Sequence, residues 1–163
     1  VSQAVAIPSN SAPPVSAPVV VRWGDRIVKG RLESPCWNAE GNVVPSAPDE
    51  TCDVFHVRRL DANVVEEIPA SEVSAVFFVN DFHGDPNRKT VRFHAHETAL
   101  PGVWIQVKFP TGEVIEGIVE NSIRFLVEPG FFLRPTDPGG NNKLVYVMKN
   151  ALVDHHVLGV TKI

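Results

Sequence analysis

A chain of 163 residues, 44% hydrophobic and 21% charged, has enough apolar side chains to build a core and too few charges for a disordered one. Its formal charge of −4 is uneven, with 6 basic and 10 acidic residues in 18–79 and 9 of each in 80–163, so neither half gathers the positive charge that DNA binding draws on. No apolar run reaches the ~20 residues that cross a bilayer as a helix, and no basic-then-apolar leader opens the chain.

Residues 1–18 hold four prolines, many small residues and no charge, and are expected to form an extended or disordered arm. Pro13 and Pro14 are its candidate contacts with a partner. Val19–Trp23 is apolar and β-branched, Gly24-Asp25 turns, and Arg26–Leu32 alternates as a strand does. The polar, proline-rich stretch 33–53 is long for a connection inside a small domain, which suggests a docking loop. It carries Trp37, the leading candidate for an external contact. It also carries Cys36 and Cys52, which are either two free thiols or a loop-closing disulfide; two lone cysteines make a poor metal site.

Asp53–Leu60, Val64–Pro69 and Val73–Val79 read as three further strands. Asn80–Gly102 is a joining segment that opens on the turn cluster "NDFHGDPNRK" and includes the alternating "TVRFHAH". Val103–Phe109 is then a strand, Pro110–Gly112 a turn and Glu113–Ser122 a second strand. The apolar piece Ile123–Pro135 is expected to bend at Pro129-Gly130. Thr136–Asn142 is a tight loop, and Lys143–Asn150 and Ala151–Val160 close the chain.

One outline occurs twice. Val21-Arg22-Trp23 matches Val107-Lys108-Phe109, Ile27–Gly30 matches Val114–Gly117, and Phe55–Asp61 matches Phe131–Asp137 with Arg58 against Arg134. A period of about 85 residues exceeds any solenoid repeat and fits two successive units of one kind. The units are expected at 19–79 and 103–163, with 80–102 between them. Gly30 and Gly117 recur because a strongly bent strand leaves no room for a side chain at the bend.

"WIQVKFPTGEVIEGIVEN" followed by "KLVYVMKNALVDHHV" resembles the Sm-like small barrel, including the bacterial Hfq type. The fold this implies is all-β: two small five-stranded SH3-like/Sm-like barrels in tandem behind an extended N-terminal arm. Lys149 stands at that family's lysine, and Asn150 where it has histidine. If the resemblance reaches RNA binding, Lys149, Asn150, Arg124 and Lys143 would make the contacts. "AVFFVNDFHGD", Ala75–Asp85, is similar to small bacterial domains of unknown function found beside PilZ modules. "RWGDR" gives Arg22 and Arg26 the spacing of the PilZ RxxxR motif, but no serine completes that module's second motif.

Chemistry-bearing patterns are sparse. His94 and His96 would share a strand face, and Asp154-His155-His156 is a second cluster, but about sixty residues separate them and no third ligand sits at a metal-binding spacing. Neighbouring Glu66 and Glu67 point to opposite faces of a strand and cannot act as a carboxylate pair. Nucleophile-elbow and phosphate-loop motifs are missing. No catalysis, metal or cofactor is therefore expected. The adjacent phenylalanines 77–78 and 131–132 would each send one ring inward and one to a second surface, a sister barrel or another protein.

These features point to a scaffold or accessory subunit that stabilises a larger protein assembly. It would dock through the arm, the 33–53 loop and barrel edges, with Trp37, Pro13, Pro14, Phe78 and Phe82 as contact residues. It would lie in the cytoplasm, or on the aqueous face of a membrane-bound, energy-converting complex. The alternative is an Sm-like RNA binder.

Overall fold

The computed structural model describes residues 17–33, 54–87, 102–137 and 139–161, except for the side chains of residues 124 and 161. Residues 1–16 of the arm, Trp37, the two cysteines, and His94 and His96 lie outside those residues; the last two arm residues are instead part of the fold, Ala17 buried in a core and Pro18 opening the first strand. Strands are β1 (Pro18–Trp23), β2 (Arg26–Leu32), β3 (Val54–Arg59), β4 (Val65–Pro69), β5 (Val73–Val79), β6 (Gly102–Lys108), β7 (Val114–Val119), β8 (Gly130–Pro135), β9 (Asn142–Met148) and β10 (Asp154–Thr161). The protein is all-β. One short helix, α1 (Ile123–Val127), and two single-turn 3-10 helices, Ala70–Glu72 and Lys149–Ala151, interrupt the strands. The apolar piece expected to bend at Pro129-Gly130 is divided there: its first turn is helical, and extended structure begins only after Pro129, which cannot donate to a ladder.

The strands form one antiparallel sheet in the order β10-β6-β7-β8-β9-β5-β1-β2-β3-β4. Within it the arrangement of β1–β5 is repeated by β6–β10, and the repeat holds at the level of register. Arg22 faces Ala75 as Lys108 faces Asp154. Gly30 faces Val19 and Arg59 as Gly117 faces Ile105 and Pro135. Val54 faces Pro69 as Gly130 faces Met148.

The two glycines at the bend meet the same obstacle. A Cβ on Gly30 would run into the carbonyl oxygen of Arg58 and lie 2.9 Å from Val57 Cγ1. A Cβ on Gly117 would run into the carbonyl of Arg134 and the side chain of Leu133, the matching residues of the second unit. The recurring glycine is thus required by the close approach of β2 to β3, and of β7 to β8.

The two units are joined by pairing of β5 with β9, in the register Ala75↔Val147, Val76↔Tyr146, Phe77↔Val145 and Phe78↔Leu144. Both strands bury both faces. Val76 and Phe78 enter a first core with Val19, Val21, Val57 and Ile68, and Leu144, Tyr146 and Met148 of the second unit enter that core too. Ala75, Phe77 and Val79 enter the second core beside Ile105, Val107 and Leu133. A strand covered on both sides reads as a continuous apolar run, which is what "AVFFV" and "LVYVM" are. Phe77 and Phe78 do send their rings to opposite faces, but the second face is the sister unit's core. Phe78 is 3% exposed, so its ring is taken by the chain itself rather than offered to a partner.

Candidate interaction surfaces

Polar contacts reinforce the junction. The Arg22 guanidinium lies over the Phe77 ring at 4.6 Å and over Phe109 at 5.6 Å, and it pairs with Glu113 from the second unit. Tyr146 packs edge-on to Phe55, with ring centres 5.8 Å apart. Burial, with the Glu128 carboxylate nearby, pushes the Tyr146 phenol up to about 12.

The "NDFHGD" turn after β5 is tied to the loop before β9. Asn80 N–H donates to the Asn141 carbonyl, Asp81 N–H to Asn141 Oδ1, and Asn141 Nδ2 back to the Asp81 carbonyl. The Asp81 carboxylate accepts from the N–H groups of Gly84 and His83 at 2.6 and 2.9 Å, which hold its carboxyl below the usual aspartate range. Phe82 is partly buried against the second core, and its carbonyl accepts from Lys29 Nζ. The residues that give this stretch its family-like look fasten the two units together.

The two arginines with PilZ-like spacing are likewise used within the chain. Arg26 bonds Glu66 at 2.8 Å and stacks on Trp23, whose Nε1 donates to Glu72 at 2.6 Å. Arg58 forks onto both oxygens of Glu33 at 2.6 and 3.1 Å. This pairing lowers the Glu33 carboxyl and raises the Arg58 guanidinium.

The RNA-contact candidates divide. Lys149 donates to the carbonyls of Phe125 and Leu126 at the end of α1 and lies 5.6 Å from the Phe125 ring. A cation there satisfies helix carbonyls that have no partner of their own. Asn150 is exposed on the adjacent 3-10 turn, and Arg124 belongs to α1, so these three positions share one end of the second unit. Lys143 is at the opposite end of β9, roughly 20 Å away at ~3.3 Å per residue. No single patch of the four is formed.

Apart from Ile27 on β2, the exposed large apolar groups among the described residues gather in three places. Ile123, Leu126 and Val127 project from α1 at close to 70% exposure. Leu60, Val64 and Val65 lie at the β3–β4 turn and on β4, one end of the sheet. Val153, Val157, Leu158 and Val160 lie on and beside β10, the other end. Among the described residues no strand pairs with the outer edge of β4 or of β10, and no three His, Cys, Asp or Glu side chains come together as metal ligands. Sequence reasoning named barrel edges in general but none of these residues, because an exposed apolar residue in a strand pattern looks like a core residue until its neighbours are known.

A family model described as a family of unknown function (DUF6982) matches residues 15–159. The chain belongs to that family. The match spans both units of this DUF6982 chain. No curated protein and no solved structure matches it. No helix among the described residues of the DUF6982 chain is long and apolar enough to cross a membrane.

Proposed function

We propose that this DUF6982 protein is a non-catalytic scaffold, an accessory subunit that stabilises a larger protein assembly. The observation that carries the reading is the apolar ridge on α1. Three large side chains, Ile123, Leu126 and Val127, stand in water while the ring of Phe125 anchors the helix against Phe131 at 5.1 Å. Rigid apolar groups on a fixed support suit an interface that buries them. The reading extends to the finer fold: each five-stranded unit closes as an SH3-like/Sm-like barrel, as the repeated strand order and the crowded glycine bends support. It extends also to place, with the protein in the cytoplasm or on the aqueous face of a membrane-bound, energy-converting complex, and to the arm and the 33–53 loop as further contacts.

Leu126→Asp paired with Ile123→Asp tests it. Gently solubilised native extract is fractionated by size, with and without ribonuclease. The wild-type chain should co-migrate with defined protein subunits far above 17.9 kDa, insensitive to ribonuclease, and the double variant should elute free. Loss of the large species on ribonuclease treatment would transfer the case to RNA binding. Wild-type and variant eluting alike would end the scaffold reading for α1.

A further inference from the structure

The outer edges of the sheet are the two halves of a junction the chain already contains. β4 and β9 are the same strand of the repeat, and so are β5 and β10. In each unit the strand before the 3-10 turn ends at its N-cap, Pro69 or Met148, and the next begins at or just after its C-cap, Val73 or Leu152, with matching extended geometry at the C-caps. β5 pairs with β9 and is buried on both faces. β10 is exposed along most of its length, with Val157 at 59% and Val160 at 66%. It has the state β5 would have if β9 were taken away.

We propose that the β10 edge of one chain pairs with the β4 edge of a second copy, repeating the β5·β9 junction between chains. Carrying the internal register across gives Asp154↔Ile68, His155↔Glu67, His156↔Glu66 and Val157↔Val65. Directly opposed residues of an antiparallel pair share a face. The imidazole N–H of His155 therefore meets the exposed Glu67 carboxylate, which among the described residues of the single chain is paired with His56 at 3.4 Å. Val157 covers Val65, so two exposed apolar groups are buried together. On the other face Glu66 keeps Arg26 and Arg59, and Asp154 keeps His156 at 2.8 Å. The contact is head-to-tail, because the two edges differ, and each added chain presents both edges again. The occupant is a second copy because the β9-like partner that β10 lacks is β4, and the side chains match in the inherited register.

The proposal needs only the purified chain, so it stands or falls apart from the α1 scaffold reading. Sedimentation velocity over a concentration series tests it with Glu67→Lys and His155→Glu. Wild-type protein should form species heavier than 17.9 kDa as concentration rises. Each single variant should associate about tenfold more weakly, since it replaces an attractive cross-strand pair by a repelling one. A mixture of the two single variants, and the double variant, should recover association, because the introduced lysine of one chain then meets the introduced glutamate of the next. Unchanged thermal midpoints keep folding out of the comparison. A wild-type chain monomeric at every concentration overturns the proposal, and so does association that neither single variant weakens. Failure of the mixture to recover overturns the register.

Discussion

Phe77→Ala tests whether the two units are thermodynamically one body. Phe77 belongs to a strand of the first unit but fills the second core, at 4% exposure. Truncating a buried phenylalanine costs about 3–5 kcal/mol through lost transfer energy and the cavity left behind. Arg22 would also lose its stacking surface, worth about 0.5–1 kcal/mol at a partly exposed site. With a urea slope of about 2 kcal/mol/M, a loss near 4 kcal/mol lowers the unfolding midpoint by about 2 M. The assay is urea unfolding of two single-tryptophan variants, one retaining Trp23 in the first unit and one retaining Trp104 in the second. Because β5 and β9 each serve both cores, both probes should report the same midpoint and shift together. If Phe77→Ala moved the Trp104 transition and left that of Trp23 in place, the units would unfold separately and the shared-core argument would be wrong.

Gly117→Ala and Gly30→Ala should each destabilise by about 1–3 kcal/mol or more, read by thermal melting, because the added methyl meets a backbone carbonyl. Gly112→Ala is the control: nothing lies within 4 Å of its new methyl, and the φ of 86° alone should cost about 1 kcal/mol. Asp81 has a lower pKa folded than unfolded, so it adds stability that is complete above the unfolded value near 3.8 and fades as pH falls through the lower folded value. Urea midpoints at pH 7 and pH 3 should therefore fall further in the wild type than in Asp81→Ala, and equal falls would remove Asp81 from the acid response. Lys149→Met should weaken α1 by about 1 kcal/mol, seen as faster amide exchange at Ile123–Val127, if its donation to the helix carbonyls is structural.

The strand pattern was legible because β-branched alternation and turn residues leave a local signature. Nine of the strands fall where the alternation and turns put them, and the matched triplets around Gly30 and Gly117 do occupy matching register positions. α1 was not legible, since four apolar residues around Arg124 in a five-residue element have no period long enough to separate helix from strand. The junction was half legible. "AVFFV" and "LVYVM" have the composition of strands covered on both sides, but which strand covers which is a long-range fact that composition does not hold. The interaction candidates were read less well. Phe78 and Lys149 look like surface chemistry in sequence, whereas one lies in the first core and the other holds a helix end. Their roles depend on partners 66 and 24 residues away, Leu144 and Phe125.

The β5·β9 pairing also bears on how the molecule can be cut. The two units hold each other through the β5·β9 ladder, through Phe77 buried in the second core and Tyr146 buried in the first, and through the Asn141–Asp81 clasp, rather than through the peptide link across 80–101 alone. Either half made alone would bare one face of a strand composed for two. Co-expressed as separate polypeptides, the halves should find each other and rebuild the whole by fragment complementation. The chain has the architecture of a dimer whose two subunits are encoded in one reading frame.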